Sequence, residues 1–98
     1  MNMQAMLKQA QKLQSDMMKS QEEIHNMKFI GKSSMVSIII NGKGEVLEVK
    51  FDFDEIGKED LEMLQDATML AFNDAKKQLD KTTEEKMGAY TKGMPGLF

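Results

Sequence analysis

Ninety-eight residues suffice for one domain with a modest core, because a short chain buries a smaller fraction of its surface than a long one. The absence of cysteine removes disulfide frameworks, thiolate metal sites and cysteine nucleophiles together. Sixteen acidic residues against thirteen basic ones give a formal net charge of -3, which excludes a general basic coat; every basic residue is lysine, so any nucleic-acid contact must lean on phosphates rather than on bidentate arginine readout of guanine.

The first element is a helix over about 3-27. Met3, Met6, Ala10, Leu13, Met17, Ser20, Ile24 and Met27 recur at alternating steps of three and four, which is a heptad seam. Asn2 is placed to cap it, and the segment holds neither Gly nor Pro. At 1.5 Å per residue such a helix is roughly 37 Å long, whereas a compact domain of this size has a radius of gyration of roughly 13 Å. Part of the helix must project beyond its own core, and the seam residues Met3, Met6, Leu13 and Met17 are the expected homodimer interface. The N-terminal residues lack a basic region followed by an apolar core, and no apolar run approaches the roughly 20 residues of a membrane span. A soluble, cytoplasmic protein without membrane contact is expected.

The period then changes to two. Val36, Ile38 and Ile40 fall on one face of a strand over 35-41, and Leu47, Val49, Phe51 and Phe53 on one face of a strand over 45-53. Val46, Glu48, Lys50 and Asp52 take the other face, so one side of the sheet is dry and the other wet. Asn41-Gly42 between them supplies the positive φ of a tight hairpin. Lys28 to Lys32 gives a third strand, which places the strands within about 28-53.

A second helix spans about 58-87. Glu59, Asp60 and Glu62 suit the positive end of its dipole, and Leu61, Leu64, Thr68, Ala71, Phe72, Ala75 and Leu79 form its apolar stripe. Gly88 is the expected C-terminal cap, with a flexible tail over 88-98. The order gives a single α+β domain over 1-98, with a three-stranded antiparallel sheet and both helices on its apolar face.

Motifs that carry chemistry are incomplete. Gly31-Lys32-Ser33 imitates the end of a phosphate-binding loop, but Asn26 stands where its first glycine belongs and the segment enters a strand. Asp52, Asp54 and Gly57 imitate the opening of a calcium loop, yet Ile56 and Met63 occupy ligand positions. His25 is the single histidine, too few for a zinc set or a triad. No catalytic residue, metal, cofactor or small-molecule substrate is therefore expected, and the protein is read as not an enzyme.

The lysines of the first helix are more informative. At 100° per residue, Lys8, Lys12 and Lys19 fall within about 40° of one another and opposite the Met/Leu seam. Only Asp16 opposes them among residues 1-21, so one face of this helix is positive on an acidic protein. Lys76, Lys77 and Lys81 on the second helix are interleaved with Asp74, Asp80 and Glu84, which dilutes the same feature there.

Met6-Leu7-Lys8-Gln9-Ala10-Gln11-Lys12-Leu13-Gln14, Gly31, Asn41-Gly42, Ala71-Phe72-Asn73-Asp74-Ala75 and Gly93-Met94-Pro95-Gly96, in this order and within this length, resemble proteins of the YbaB/EbfC family. The resemblance covers essentially the whole chain. It implies a helix, a three-stranded sheet and a helix, paired into a tweezer-like homodimer with projecting helical arms. It also implies DNA binding and a role in nucleoid organisation or gene expression. The glycine-rich stretch that many relatives carry before the first long strand is missing here, and the helix arginines common among them are missing too; their loss makes low sequence selectivity the expectation.

Residues and resemblance together predict a nucleoid-associated protein that binds double-stranded DNA. The contacts are expected from Lys8, Lys12 and Lys19, with Gln9, Gln11 and Gln14 as hydrogen-bonding neighbours and Lys76, Lys77 and Lys81 as further contributors. The alternative is a protein-binding adaptor that grips another chain with its methionine-rich seams and makes no direct DNA contact.

Overall fold

The structure, a computed structural model, describes residues 2-91. Along the chain come α1 (Met3–His25), β1 (Lys28–Ser33), β2 (Val36–Asn41), β3 (Val46–Phe51), a 3-10 turn (Lys58–Asp60) and α2 (Leu61–Thr91). The three strands form one antiparallel sheet in the order β1-β2-β3.

α1 starts where the sequence places its cap: the Asn2 side-chain oxygen accepts the Gln4 N–H at 3.0 Å, satisfying one of the orphan donors of the first turn. It does not lie on the sheet as expected. Ile24 is its single buried residue, and residues 2-15 are exposed throughout. The reason is width. Three strands about 4.8 Å apart offer room for one helix roughly 10 Å across, and α2 takes it, packing on β1 and β2. α1 instead meets α2 near its own C-terminus and runs off the end of the domain, giving a molecule of 71 × 21 × 14 Å.

The dry face of β1 and β2 follows the period-two pattern, with Phe29, Gly31, Val36, Ile38 and Ile40 buried in strict alternation. Burying side chains such as Ile38 and Ile40 stabilises the fold by about 1.5–3 kcal/mol each. Against them α2 sets Ala67, Ala71, Ala75 and Leu79, one residue per turn. Small side chains at this spacing let the helix backbone come close, and Gly31 completes the approach: a Cβ there would lie 1.9 Å from the Ala71 carbonyl oxygen. The stripe is narrower than expected, since Leu64, Thr68 and Phe72 are half-buried and Leu61 is exposed.

Two glycines act differently from expectation. Gly42 does not supply positive φ; within the β2–β3 turn that falls to Gly44, at φ +84°. Asn41 organises a three-residue loop, its side-chain oxygen accepting the N–H groups of Lys43 and Glu45, which fits a turn closed by one left-handed residue. Gly42 is needed for proximity instead, because a Cβ would fall 1.6 Å from the Ile24 carbonyl oxygen at the end of α1. Gly88 does not cap α2, which continues to Thr91. Met87 is buried and Tyr90 packs against the core, and this burial outweighs the roughly 1 kcal/mol that a helical glycine costs. Of the expected tail, 88-91 is helical and 92-98 lies outside the described residues.

β3 is the exception to the layered packing. Val49 pairs with Ile38 and Phe51 with Val36, so their side chains share the dry face. Every residue of β3 is nevertheless exposed, because α2 lies over the other two strands. An irregularity between Ile39 and Ile40 brings Val46 opposite Ile40, and Val46, Leu47, Val49 and Phe51 remain 44–50 % exposed. Phe51 and Phe53 stack on each other with centroids 5.5 Å apart.

Candidate nucleic-acid interface

The helical spacing of Lys8, Lys12 and Lys19 becomes a physical face because α1 is unbroken from Met3 to His25. The three Cα atoms are spread over roughly 16 Å of helix axis. All three lysines are exposed, and none takes part in an ion pair among the described residues. Gln9, Gln11 and Gln14 are exposed on the same projecting segment. A row of solvated ammonium groups on an arm clear of the acidic body is suited to meet a regular array of negative charge.

The α2 lysines divide. Lys76 forms an ion pair with Asp80 one turn on, which removes much of its value for an external phosphate. Lys77 and Lys81 are exposed and outside any ion pair among the described residues. Lys86 reaches Glu23 of α1 at 3.7 Å. With one side chain 41 % and the other 66 % exposed, that pair adds a few tenths of a kcal/mol and chiefly joins the two helices where they diverge.

The expected interface seam also divides. Met3, Met6 and Leu13 are open to solvent, Met3 to 82 %. Met17 is half-buried against the core of its own chain, so it is occupied before any partner arrives.

Two features were not read from the sequence. The first is a cross-strand row on the outer sheet face, Lys32–Ser37–Lys50, whose members come from three separate segments. Alternation places each lysine outward, but only the register joins them, and Glu48 beside Lys50 limits the local charge. The second is a closed sheet edge. The Lys32 N–H donates to Asp74 Oδ2 at 3.1 Å, and Gln78 Nε2 donates to the Ile30 carbonyl at 2.8 Å, so two side chains one turn apart on α2 cover the outer side of β1. Gly31-Lys32-Ser33 lies within that strand, where no helix N-terminus follows to receive a phosphate. No helix among the described residues is long and apolar enough to cross a membrane.

Comparisons with known proteins agree with this architecture. The model of the YbaB/EbfC DNA-binding family matches residues 1–94. A nucleoid-associated protein of Lactococcus lactis subsp. cremoris is 48 % identical over 97 residues, spanning 97 % of this chain and 98 % of its own. One from Enterococcus faecalis is 41 % identical over 98 residues, spanning 98 % and 94 %. The crystal structure of an uncharacterized Helicobacter pylori protein superposes with a TM-score of 0.75 over 92 % of this chain and 97 % of that one; at 23 % identity it speaks for the fold alone. The alignment from end to end, the helix–sheet–helix order and the level of identity leave one assignment: the chain belongs to the YbaB/EbfC DNA-binding family.

Proposed function

We propose that this protein binds duplex DNA of the bacterial nucleoid as a homodimer, with little sequence selectivity, and so affects nucleoid organisation or gene expression. The observation that carries the reading is the exposed row Lys8, Lys12 and Lys19, outside any ion pair among the described residues, on a helix that projects from an acidic body. Each ammonium group neutralises a phosphate and releases counterions, while Gln9, Gln11 and Gln14 donate hydrogen bonds to phosphate or sugar oxygens. Lys77 and Lys81 add charge from α2. Without arginine the side chain that most often reads guanine edges bidentately is absent, and affinity is nearly even across sequences. The function needs no catalytic residue, cofactor or small-molecule substrate.

The test is a salt-titrated binding measurement with two unrelated duplexes, repeated with an unrelated acidic protein as competitor. Steep salt dependence, similar for both duplexes and insensitive to the acidic protein, is the expected result. Absence of duplex binding at low salt would overturn the reading in favour of an adaptor that grips another protein through the bare Met3, Met6 and Leu13 seam.

A further inference from the structure

Acidic charge is not spread evenly along the chain. Between residues 52 and 66 seven acidic residues face a single lysine, Lys58, so the rest of the chain is net positive. The fold gathers this segment at one end of the domain, where the chain leaves β3 and enters α2. The basic α1 arm joins α2 at Lys86, roughly 37 Å further along that helix. Within the acidic end lies a cavity of about 60 Å³. Met35 and Val36 at the start of β2, Phe53 and Ile56 after β3, and Met63 and Leu64 at the start of α2 form its apolar wall. Met35 and Met63 remain 46 % and 47 % exposed, so the cavity is reached from solvent. Ser34, Glu55 and Asp60 add a hydroxyl and two carboxyl groups to the lining. Neither carboxylate takes part in an ion pair or a side-chain hydrogen bond among the described residues.

We propose that this end of the domain is a docking site for a basic segment of another protein, which inserts one aliphatic side chain into the cavity. Size and charge together select the occupant. An engineered apolar cavity of about 150 Å³ admits benzene; at about 60 Å³ this one is too small for an aromatic ring and suits the branched end of a leucine or valine. Cationic residues flanking such an anchor meet Glu55, Asp60 and the acidic surface around them, and charge of opposite sign steers the encounter and fixes its register. An anchor desolvated in a small pocket within a polar surround is the arrangement that carries most of the energy of a protein interface. The same carboxylates repel a duplex, whose phosphates need cations. A metal ion is no rival, because no group of three side chains that could hold one occurs among the described residues. The protein thus holds DNA on its basic arm and a basic protein segment at its opposite, acidic end.

Titration of the full-length protein with short capped peptides, followed by amide NMR shifts, tests this. The probe is Lys-Lys-Leu-Lys-Lys, with alanine or tryptophan in place of leucine as controls. The leucine peptide should bind about tenfold or more tighter than the alanine peptide, and the tryptophan peptide should not exceed it. The signals that move should belong to residues 34–36, 53–56 and 60–64. Glu55→Gln with Asp60→Asn should weaken the leucine peptide several-fold while circular dichroism shows the fold retained. Equal affinity for the leucine and alanine peptides, or tighter binding of the tryptophan peptide, overturns the cavity as the seat of an aliphatic anchor. Shifts centred on other residues, or a folded double variant that binds like the parent, overturn the site. Duplex DNA titrated in place of the peptide should leave these signals unmoved; movement there would make this end a nucleic-acid surface and overturn the choice of partner.

Discussion

Gly31→Ala probes the close seating of α2 on β1. The added Cβ would meet the Ala71 carbonyl oxygen at 1.9 Å, the Ala75 amide nitrogen at 2.5 Å and the Ala75 Cβ at 2.9 Å. The first two atoms belong to the helix backbone, so no side-chain rotation relieves the clash. α2 must lift off β1, thinning the contacts of Ala71 and Ala75 with the sheet and stretching the bonds from Asp74 and Gln78 to the strand. Overpacking costs about 1–3 kcal/mol, and contact with backbone places this case near 3 kcal/mol. In a domain of this size each kcal/mol moves the melting temperature by about 4–8 °C, so a fall of roughly 12–24 °C is expected at matched protein concentration. Gly88→Ala is the control of opposite sign: it lies within α2, a Cβ there meets nothing within 4 Å among the described residues, and the gain is about 0.5–1 kcal/mol. Thermal and urea unfolding followed by circular dichroism measure both. A Gly31→Ala protein as stable as the parent would refute the seating of α2 on β1.

Three other changes have defined outcomes. Phe72→Ala should cost about 2 kcal/mol by urea unfolding, below the 3–5 kcal/mol of a fully buried ring, because Phe72 is half-buried. Asn2→Ala removes the cap bond to the Gln4 N–H and should lower the helical signal of α1, at a cost of about 1 kcal/mol; hydrogen exchange localised to residues 3-8 measures it. Asn41→Ala deletes the acceptor for the Lys43 and Glu45 N–H groups and should destabilise by about 1–2 kcal/mol, read as a lower urea midpoint with an unchanged m-value.

The extent to which the fold was legible depends on whether a signal is local. The cap at Asn2, the alternation of Val36, Ile38 and Ile40, and the i,i+4 spacing of Ala71 and Ala75 are carried within one turn or one strand, and the structure has them where they were read. The position of α1 was not legible, because its seam resembles a core-facing stripe whether or not a sheet has room beneath it. β3 shows the same limit. Its alternation puts Val49 and Phe51 on the face of Ile38 and Val36 as read, but it assigns Val46 to the wet face, whereas the bulge sets it opposite the buried Ile40. Nor can it say that α2 covers only the neighbouring strands and leaves β3 exposed. Gly42 and Gly88 failed through tertiary context, since proximity to Ile24 in one case and burial of Met87 in the other decided what local propensity could not. For the candidate interface, the Lys8–Lys12–Lys19 row needed only helical geometry, whereas the Asp74 and Gln78 bonds span 42 and 48 residues and have no local signature.

If the α1 lysine row holds DNA through phosphates, the salt dependence of duplex binding by a Lys8→Gln, Lys12→Gln protein must change. Glutamine keeps helix propensity close to that of lysine, and both positions are exposed, so the fold is retained. A dimer presents two rows and up to six charges; neutralising four to six phosphates gives a log–log salt slope of roughly -3.6 to -5.4. The double variant removes four of those charges, and affinity and slope should fall together, equally for unrelated sequences. A folded variant that binds with the parent's affinity and slope would mean that the DNA contacts lie elsewhere than on this face of α1.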